Sequence, residues 1–377
     1  MVGRVLIVAG EASGDLHGSG VVRELRKRIP SLEIFGIGGD RMRGEGMELL
    51  YHITAMSFMG FAEVVRNIRF IRSVEQRIAR ELSQRRPDVV VLIDYPGFNL
   101  RLARRARRAG IKVLYYISPQ VWAWHKSRVH KMRSCIDTMK VVFPFEVDIY
   151  RDAGLDVEFV GHPLVEHIGS SLSREEFRRH YRIAPDKKLL ALVPGSRAQE
   201  ISTIFPTMIR VAENLRTALD VEVAVGVAPN LGVEALQAYL PQASPIRCVE
   251  HATYDLMAHA DAAIVTSGTA TLETGWFGTP MAVVYKTSPI TFFIGRMLVD
   301  VANIGMVNIV AGKTVVPEFI QNEMTVANLE EAVGRMLRDQ SYADHIRHEL
   351  AVIKTKLGTP GASRRVAESI IRLAEAA

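Results

Sequence analysis

The sequence predicts an α/β protein built from two doubly wound, Rossmann-like domains with an interdomain cleft. Three observations predict it. Short runs are apolar at consecutive positions, the pattern of parallel strands buried on both faces. Helix-like stretches follow these runs throughout. At 377 residues the chain is too long for one core, and the same style repeats after a join near residue 165.

In order, the strand runs of the first half are 5–9, 34–37, 89–94, 113–117, 139–143 and 157–160. Those of the second half are 189–193, 223–227, 246–249, 262–265 and 281–285. Gly161, His162 and Pro163 close the first series, and Ser173 with Glu176 three residues on reads as a capping box opening the next unit. The expected domains are therefore 1–167 and 168–354. An amphipathic helix at about 355–377 is able to pack back on the first.

The composition is that of an ordinary globular protein, 48% hydrophobic and 23% charged. Cys135 and Cys248 lie far apart and outside any paired-ligand spacing, which argues against a disulfide framework or zinc site and suits a reducing cytoplasm. The apolar run 5–9 is too short for a secretory signal. Segment 291–312 nearly matches a membrane span in length, but Arg296 and Asp300 lie inside it, so it reads as a soluble helix and loop. Residues 1–165 hold 26 Lys/Arg against 18 Asp/Glu, so the positive surface belongs to the first half. Such a surface suits nucleic acid, anionic lipid or phosphorylated substrates.

Ligands of open α/β sheets bind beyond the carboxyl ends of the strands. After the first strand comes a glycine-rich turn, 10–18, carrying Glu11, Asp15 and His17. Three ionisable groups in one turn have no packing purpose. After the third strand Asp94 ends an apolar run, a position that favours a general base or a helix-capping acid, and Asn99 is placed to cap the next helix. That helix carries Arg101, Arg104, Arg105, Arg107 and Arg108, a solvated face or one for anionic headgroups. Trp122 and Trp124 flank an alanine beside Pro119 and His125, so one indole is expected to line the cleft. In the second half Gly195, Ser196 and Arg197 open a helix after a strand, as do Ser267, Gly268 and Thr269. Both turns suit phosphate, and Glu273 one turn further suits a ribose diol. Neither is a Walker motif; together they predict a nucleotide diphosphate. Segment 54–70 places Met56, Phe58, Met59, Phe61, Val64 and Val65 beside Arg66 and Arg69. It is either a core helix or an apolar patch for a lipid surface.

The strings GEASGDLHG, MGFAEV, IDYPGFN, SPQVWAW, FPFE, VGHPL, PGSRAQEI, TSGTATLE and VNIVAG occur in that order from residue 10 to 312. Together they resemble the lipid-A-disaccharide synthases, glycosyltransferases of the GT-B architecture. The resemblance implies transfer of a 2,3-diacylglucosamine from its UDP donor to the 6-hydroxyl of 2,3-diacylglucosamine 1-phosphate, with inversion and without a metal or other cofactor. It implies Asp94 as the base, with His17 as the other candidate and Glu11 and Asp15 beside them. Gly195, Ser196, Arg197, Ser267, Gly268, Thr269, Glu273, Asn308 and Asn99 are then expected to bind substrate. Phe58, Met59, Phe61 and Val64 are expected at the membrane. The location implied is cytoplasmic and peripheral to the inner membrane, and a homodimer is left open.

Competing readings keep the fold but change the chemistry: a UDP-N-acetylglucosamine epimerase, another GT-B enzyme, or a non-catalytic nucleotide-binding protein of the membrane surface. A dehydrogenase is disfavoured because the dinucleotide fingerprint is absent. Nucleic-acid binding is disfavoured because the arginines lack interleaved stacking aromatics.

Overall fold

The computed structural model describes residues 2–56, 67–119, 128–288, 292 and 303–376. The chain divides into two compact units, one of residues 1–166 with 357–377, the other of residues 167–356.

Unit 1 is a seven-stranded sheet of β1 (Arg4–Ala9), β2 (Glu33–Gly38), β3 (Glu48–His52), β4 (Val89–Ile93), β5 (Lys112–Tyr116), β6 (Thr138–Val141) and β7 (Asp156–Phe159). The order is β3-β2-β1-β4-β5-β6-β7, and every pairing is parallel. All five residues of β4 are buried, as are the last five of β1, because helices cover both faces. The helices are α1 (Ala12–Arg28), α2 (Asp40–Gly44), α3 (Ile68–Gln84), α4 (Pro96–Arg108), α5 (Arg128–Arg133) and α6 (Glu146–Asp152). The arginine-rich α4 is not wholly free. Arg101 and Arg105 reach Glu75 of α3 at 3.1 and 2.9 Å, and Arg107 reaches Asp137 at 2.7 Å.

The C-terminal helix, Ala362–Glu375, packs on α1. Gly20 makes the approach possible: a Cβ there would stand 2.4 Å from Ser363 Oγ. The Glu166 carboxylate accepts from the Ser363 N–H (2.8 Å) and hydroxyl (2.6 Å), so it satisfies donors at the first turn of this helix.

Unit 2 repeats the design with β8 (Leu189–Val193), β9 (Glu222–Gly226), β10 (Arg247–Val249), β11 (Ala262–Thr266), β12 (Met281–Tyr285) and β13 (Glu318–Ile320). These form a parallel sheet ordered β10-β9-β8-β11-β12-β13. Its helices are α7 (Arg174–His180), α8 (Ala198–Leu219), α9 (Glu234–Gln237), α10 (Thr253–His259), α11 (Thr269–Phe277), α12 (Met306–Ala311), α13 (Val326–Arg338) and α14 (Gln340–Leu357). The capping box of Ser173 and Glu176 opens α7. Edge strands β3 and β13 carry no continuous apolar run and escape the sequence reading. Among the described residues no helix is long and apolar enough to cross a membrane. Phe58, Met59, Phe61 and Val64, the tryptophans Trp122 and Trp124, and half of segment 291–312 lie outside the described residues.

Candidate active site

Each sheet reverses its winding once, and ligands of such sheets bind where the connections diverge. In unit 1 that point lies between β1 and β4, which run in register with Ala9 opposite Ile93. Segment 10–18, which proves to be a short turn at Gly10 and Glu11 running into α1, and the turn beginning at Asp94 therefore start level with each other. In unit 2 the point lies between β8 and β11, with Val193 opposite Val265. Turn 194–197 and turn 267–269 flank it.

Asp94 and Tyr95 adopt left-handed backbone conformations, φ 46° and 48°. For two consecutive non-glycine residues this costs about 1–2 kcal/mol each. Asp94 N–H donates to Tyr116 O (3.0 Å), while Asp94 O accepts from Tyr115 Oη (2.6 Å) and Asn99 Nδ2 (2.7 Å). Gly10 lies under the Tyr95 ring, where a Cβ would come within 2.2 Å of it. The half-buried Asp94 carboxyl is pushed up to about 6, first by burial and second by the Glu11 charge, while the Tyr95 N–H opposes the shift. At neutral pH it is a carboxylate of raised basicity, fit to accept a proton.

Glu11 is the exposed N-cap of α1, with no capping bond from its side chain. His17, half-buried, acts electrostatically on His162. His162 is buried and held down to about 3, chiefly by desolvation, and its Nδ1 accepts from Leu164 N–H at 3.1 Å.

Three expected site residues make buried hydrogen bonds, chiefly to the backbone. Asp15 is buried, and its carboxylate accepts from the amides of Gly39 (2.7 Å), Arg41 (3.2 Å) and Met42 (3.1 Å), capping the start of α2. Asn99 does not cap α4 and is fully buried; its amide donates to Ile93 O (3.2 Å) as well as Asp94 O. Asn308 is also fully buried. It donates to Val316 O (2.8 Å) and Glu318 Oε1 (2.7 Å), and its Oδ1 accepts from the amides of Val315 (2.8 Å) and Val316 (3.1 Å). The helix cap expected of Asn99 is thereby corrected; a short amide or carboxylate satisfies buried backbone groups as readily as it caps a helix.

In unit 2, Gly195 has φ 102° and Ser196 and Arg197 are exposed. Arg197 N-caps α8 and its guanidinium meets Glu200 at 2.9 Å, while Asn230 Nδ2 fixes Ser196 O at 2.9 Å. Ser267 Oγ donates to Ile304 O (3.0 Å), leaving its amide bound to Val284 O (2.9 Å). Gly268, at φ 155°, is the N-cap of α11, and Thr269 is exposed at the first helical position. Two helix starts thus follow the neighbouring strands β8 and β11, a phosphate-type arrangement. Glu273 accepts from Tyr254 Oη at 3.1 Å, and burial raises both groups above their ordinary values. Sequence reasoning missed Tyr115, Asn230 and Tyr254. Tyr115 carried one signal, a hydroxyl in a buried strand, as at the neighbouring Tyr116.

The fold is shared with solved glycosyl-handling enzymes. The calicheamicin glycosyltransferase CalG4 superposes with a TM-score of 0.64 at 16% identity, over 99% of this chain and 98% of its own. UDP-GlcNAc 2-epimerase of Neisseria meningitidis, solved bound to UDP-GlcNAc, gives 0.66 at 13%, over 98% and 100%. In sequence the chain is far closer to other proteins. It is 43% identical over 372 residues to lipid-A-disaccharide synthase of Geobacter sulfurreducens, covering 98% of this chain and 97% of that one. With the synthase of Myxococcus xanthus it shares 39% over 373 residues, 98% and 97% of the two chains. A family model for lipid-A-disaccharide synthetase matches residues 5–369, which takes in both sheets and both switch points. On that match and those relatives, the chain belongs to the lipid-A-disaccharide synthetase family, on two parallel-sheet domains of the GT-B type.

Proposed function

We propose that the chain moves 2,3-diacylglucosamine from a UDP donor to the 6-hydroxyl of 2,3-diacylglucosamine 1-phosphate, with inversion at the anomeric carbon. The coarser activity, formation of the lipid A disaccharide by glycosyl transfer, is that of its family. One observation carries the finer reading: an electronically raised carboxylate at one switch point and paired helix starts at the other.

In this reading unit 2 takes UDP. Residues 195–197 and 267–269, the latter through the amides of Gly268 and Thr269, and the Arg197 guanidinium bind the diphosphate, and Glu273 accepts from the ribose hydroxyls. Unit 1 takes the acceptor beside Glu11 and His17. Asp94 removes the 6-hydroxyl proton as that oxygen bonds to the donor C1. The C1–oxygen bond to the diphosphate breaks, and UDP leaves with the electron pair. A single displacement needs one base, and the raised Asp94 serves at neutral pH. Protein cations and helix N-termini supply the positive charge at the leaving group, so the scheme calls for no metal. The basic first half and the patch at 58–65 are proposed to meet an anionic membrane, where both substrates reside.

The test is a radiolabel transfer assay with both lipids in detergent and excess EDTA. Disaccharide and UDP are expected, and Asp94→Ala is expected to lower turnover at least a thousandfold while UDP affinity changes less than twofold. UDP binding without transfer would favour an epimerase, and soluble UDP-sugars would then be tried. Loss of product on EDTA alone would contradict the metal-free scheme.

A further inference from the structure

The turn that carries Asp94 is held in a conformation its own residues disfavour. Neither Asp94 nor Tyr95 is glycine, yet both have φ near +47°. Something outside the turn must supply the restraint, and two buried side chains do. Asn99, from the first turn of α4, donates to the carbonyls of Ile93 and Asp94 at 3.2 and 2.7 Å. Tyr115, from β5, donates its hydroxyl to the same Asp94 carbonyl at 2.6 Å. Both side chains are fully buried, so packing holds the two donors in place. A carbonyl fixed from two sides fixes the peptide plane after Asp94 and thereby the direction of its Cα–Cβ bond. Tyr95 locks the other end through its hydroxyl on Met56 O at 3.1 Å, with its ring over Gly10.

We propose that Tyr115 and Asn99 are positioning residues for the transfer reaction: they clamp the Asp94 carbonyl so that the left-handed turn presents the carboxylate to the acceptor. This rests on Asp94 being the base. Tyr115 contacts no solvent and is not a group that touches substrate; its contribution is geometric. Displacement of a reacting group by about 1 Å costs on the order of a hundredfold in rate.

The test uses Tyr115→Phe, which keeps the ring and removes only the hydroxyl, and Asn99→Asp, which keeps the size and replaces two donors with acceptors. The rate constant kcat is expected to fall roughly ten- to hundredfold in each, with KM for both substrates within about twofold. A freed turn also lets the carboxyl swing toward water and away from Glu11, so the acid limb of kcat/KM is expected to move from about 6 toward the ordinary carboxylate range. A merely structural role would lower the melting temperature and leave that midpoint in place; this result, or unchanged kcat in Tyr115→Phe, overturns the proposal. Asp94→Asn is measured in parallel. Near-normal turnover there would remove Asp94 as the base, an outcome distinct from a failure of the clamp.

Discussion

At the scale of the residue, Asp94 joins function to stability. Its carboxyl stands at about 6 in the folded chain, raised mainly by burial, against an ordinary value of 3.8. The folded state therefore holds this proton more tightly than the unfolded chain. Above pH 6 the buried charge costs about 3 kcal/mol of stability; the cost fades as pH falls through 6 and is gone below 3.8. Asp94→Asn should thus be inactive yet more stable, by up to about 3 kcal/mol at pH 8 and by nothing below pH 4. Urea unfolding at the two pH values measures this. Equal stability of the two proteins at pH 8 would mean the carboxylate is not desolvated. The same scale limits what the sequence reveals. Asp94, Asp15, Asn99 and Asn308 look alike as isolated polar residues beside apolar runs. Only the fold separates Asp94, whose carboxyl is raised mainly by burial, from the three whose side chains bond backbone amides and carbonyls.

Among the elements, the central strands and the edge strands β7 and β10 were readable, and the edges β3 and β13 were not. Strands β1, β4, β8 and β11 are buried on both faces, so their sequences are continuous apolar runs. β3 and β13 are half-exposed at the sheet edges, and their sequences, ELLYH and EFI, lack the run that marks a strand. The C-terminal helix was legible as amphipathic, but its seat depends on Glu166 and Ser363, 197 residues apart, which no local pattern announces. Glu166→Ala should strand two donors at the start of that helix and cost about 1–3 kcal/mol in urea unfolding. UDP affinity should stay within twofold, since the helix belongs to the other unit from the nucleotide loops. A stability change under 0.5 kcal/mol would show that water satisfies those donors equally well.

For the whole molecule, two sheets of the same winding each bring a pair of chemically distinct turns to a switch point. Segments 10–18 and 94–99, each a strand end running into a helix, carry acids and a histidine; segments 194–197 and 267–269 carry helix starts, hydroxyls and an arginine. Solved structures at 13–16% identity share this frame, so the frame alone does not choose the reaction. The division of labour between the units is the central claim, and hydrogen exchange with and without saturating UDP tests it most directly. Protection is expected at residues 194–200 and 266–273, with the amides of 10–18 and 94–99 unchanged. Protection by UDP at the unit 1 turns, or none at the unit 2 turns, would contradict the account.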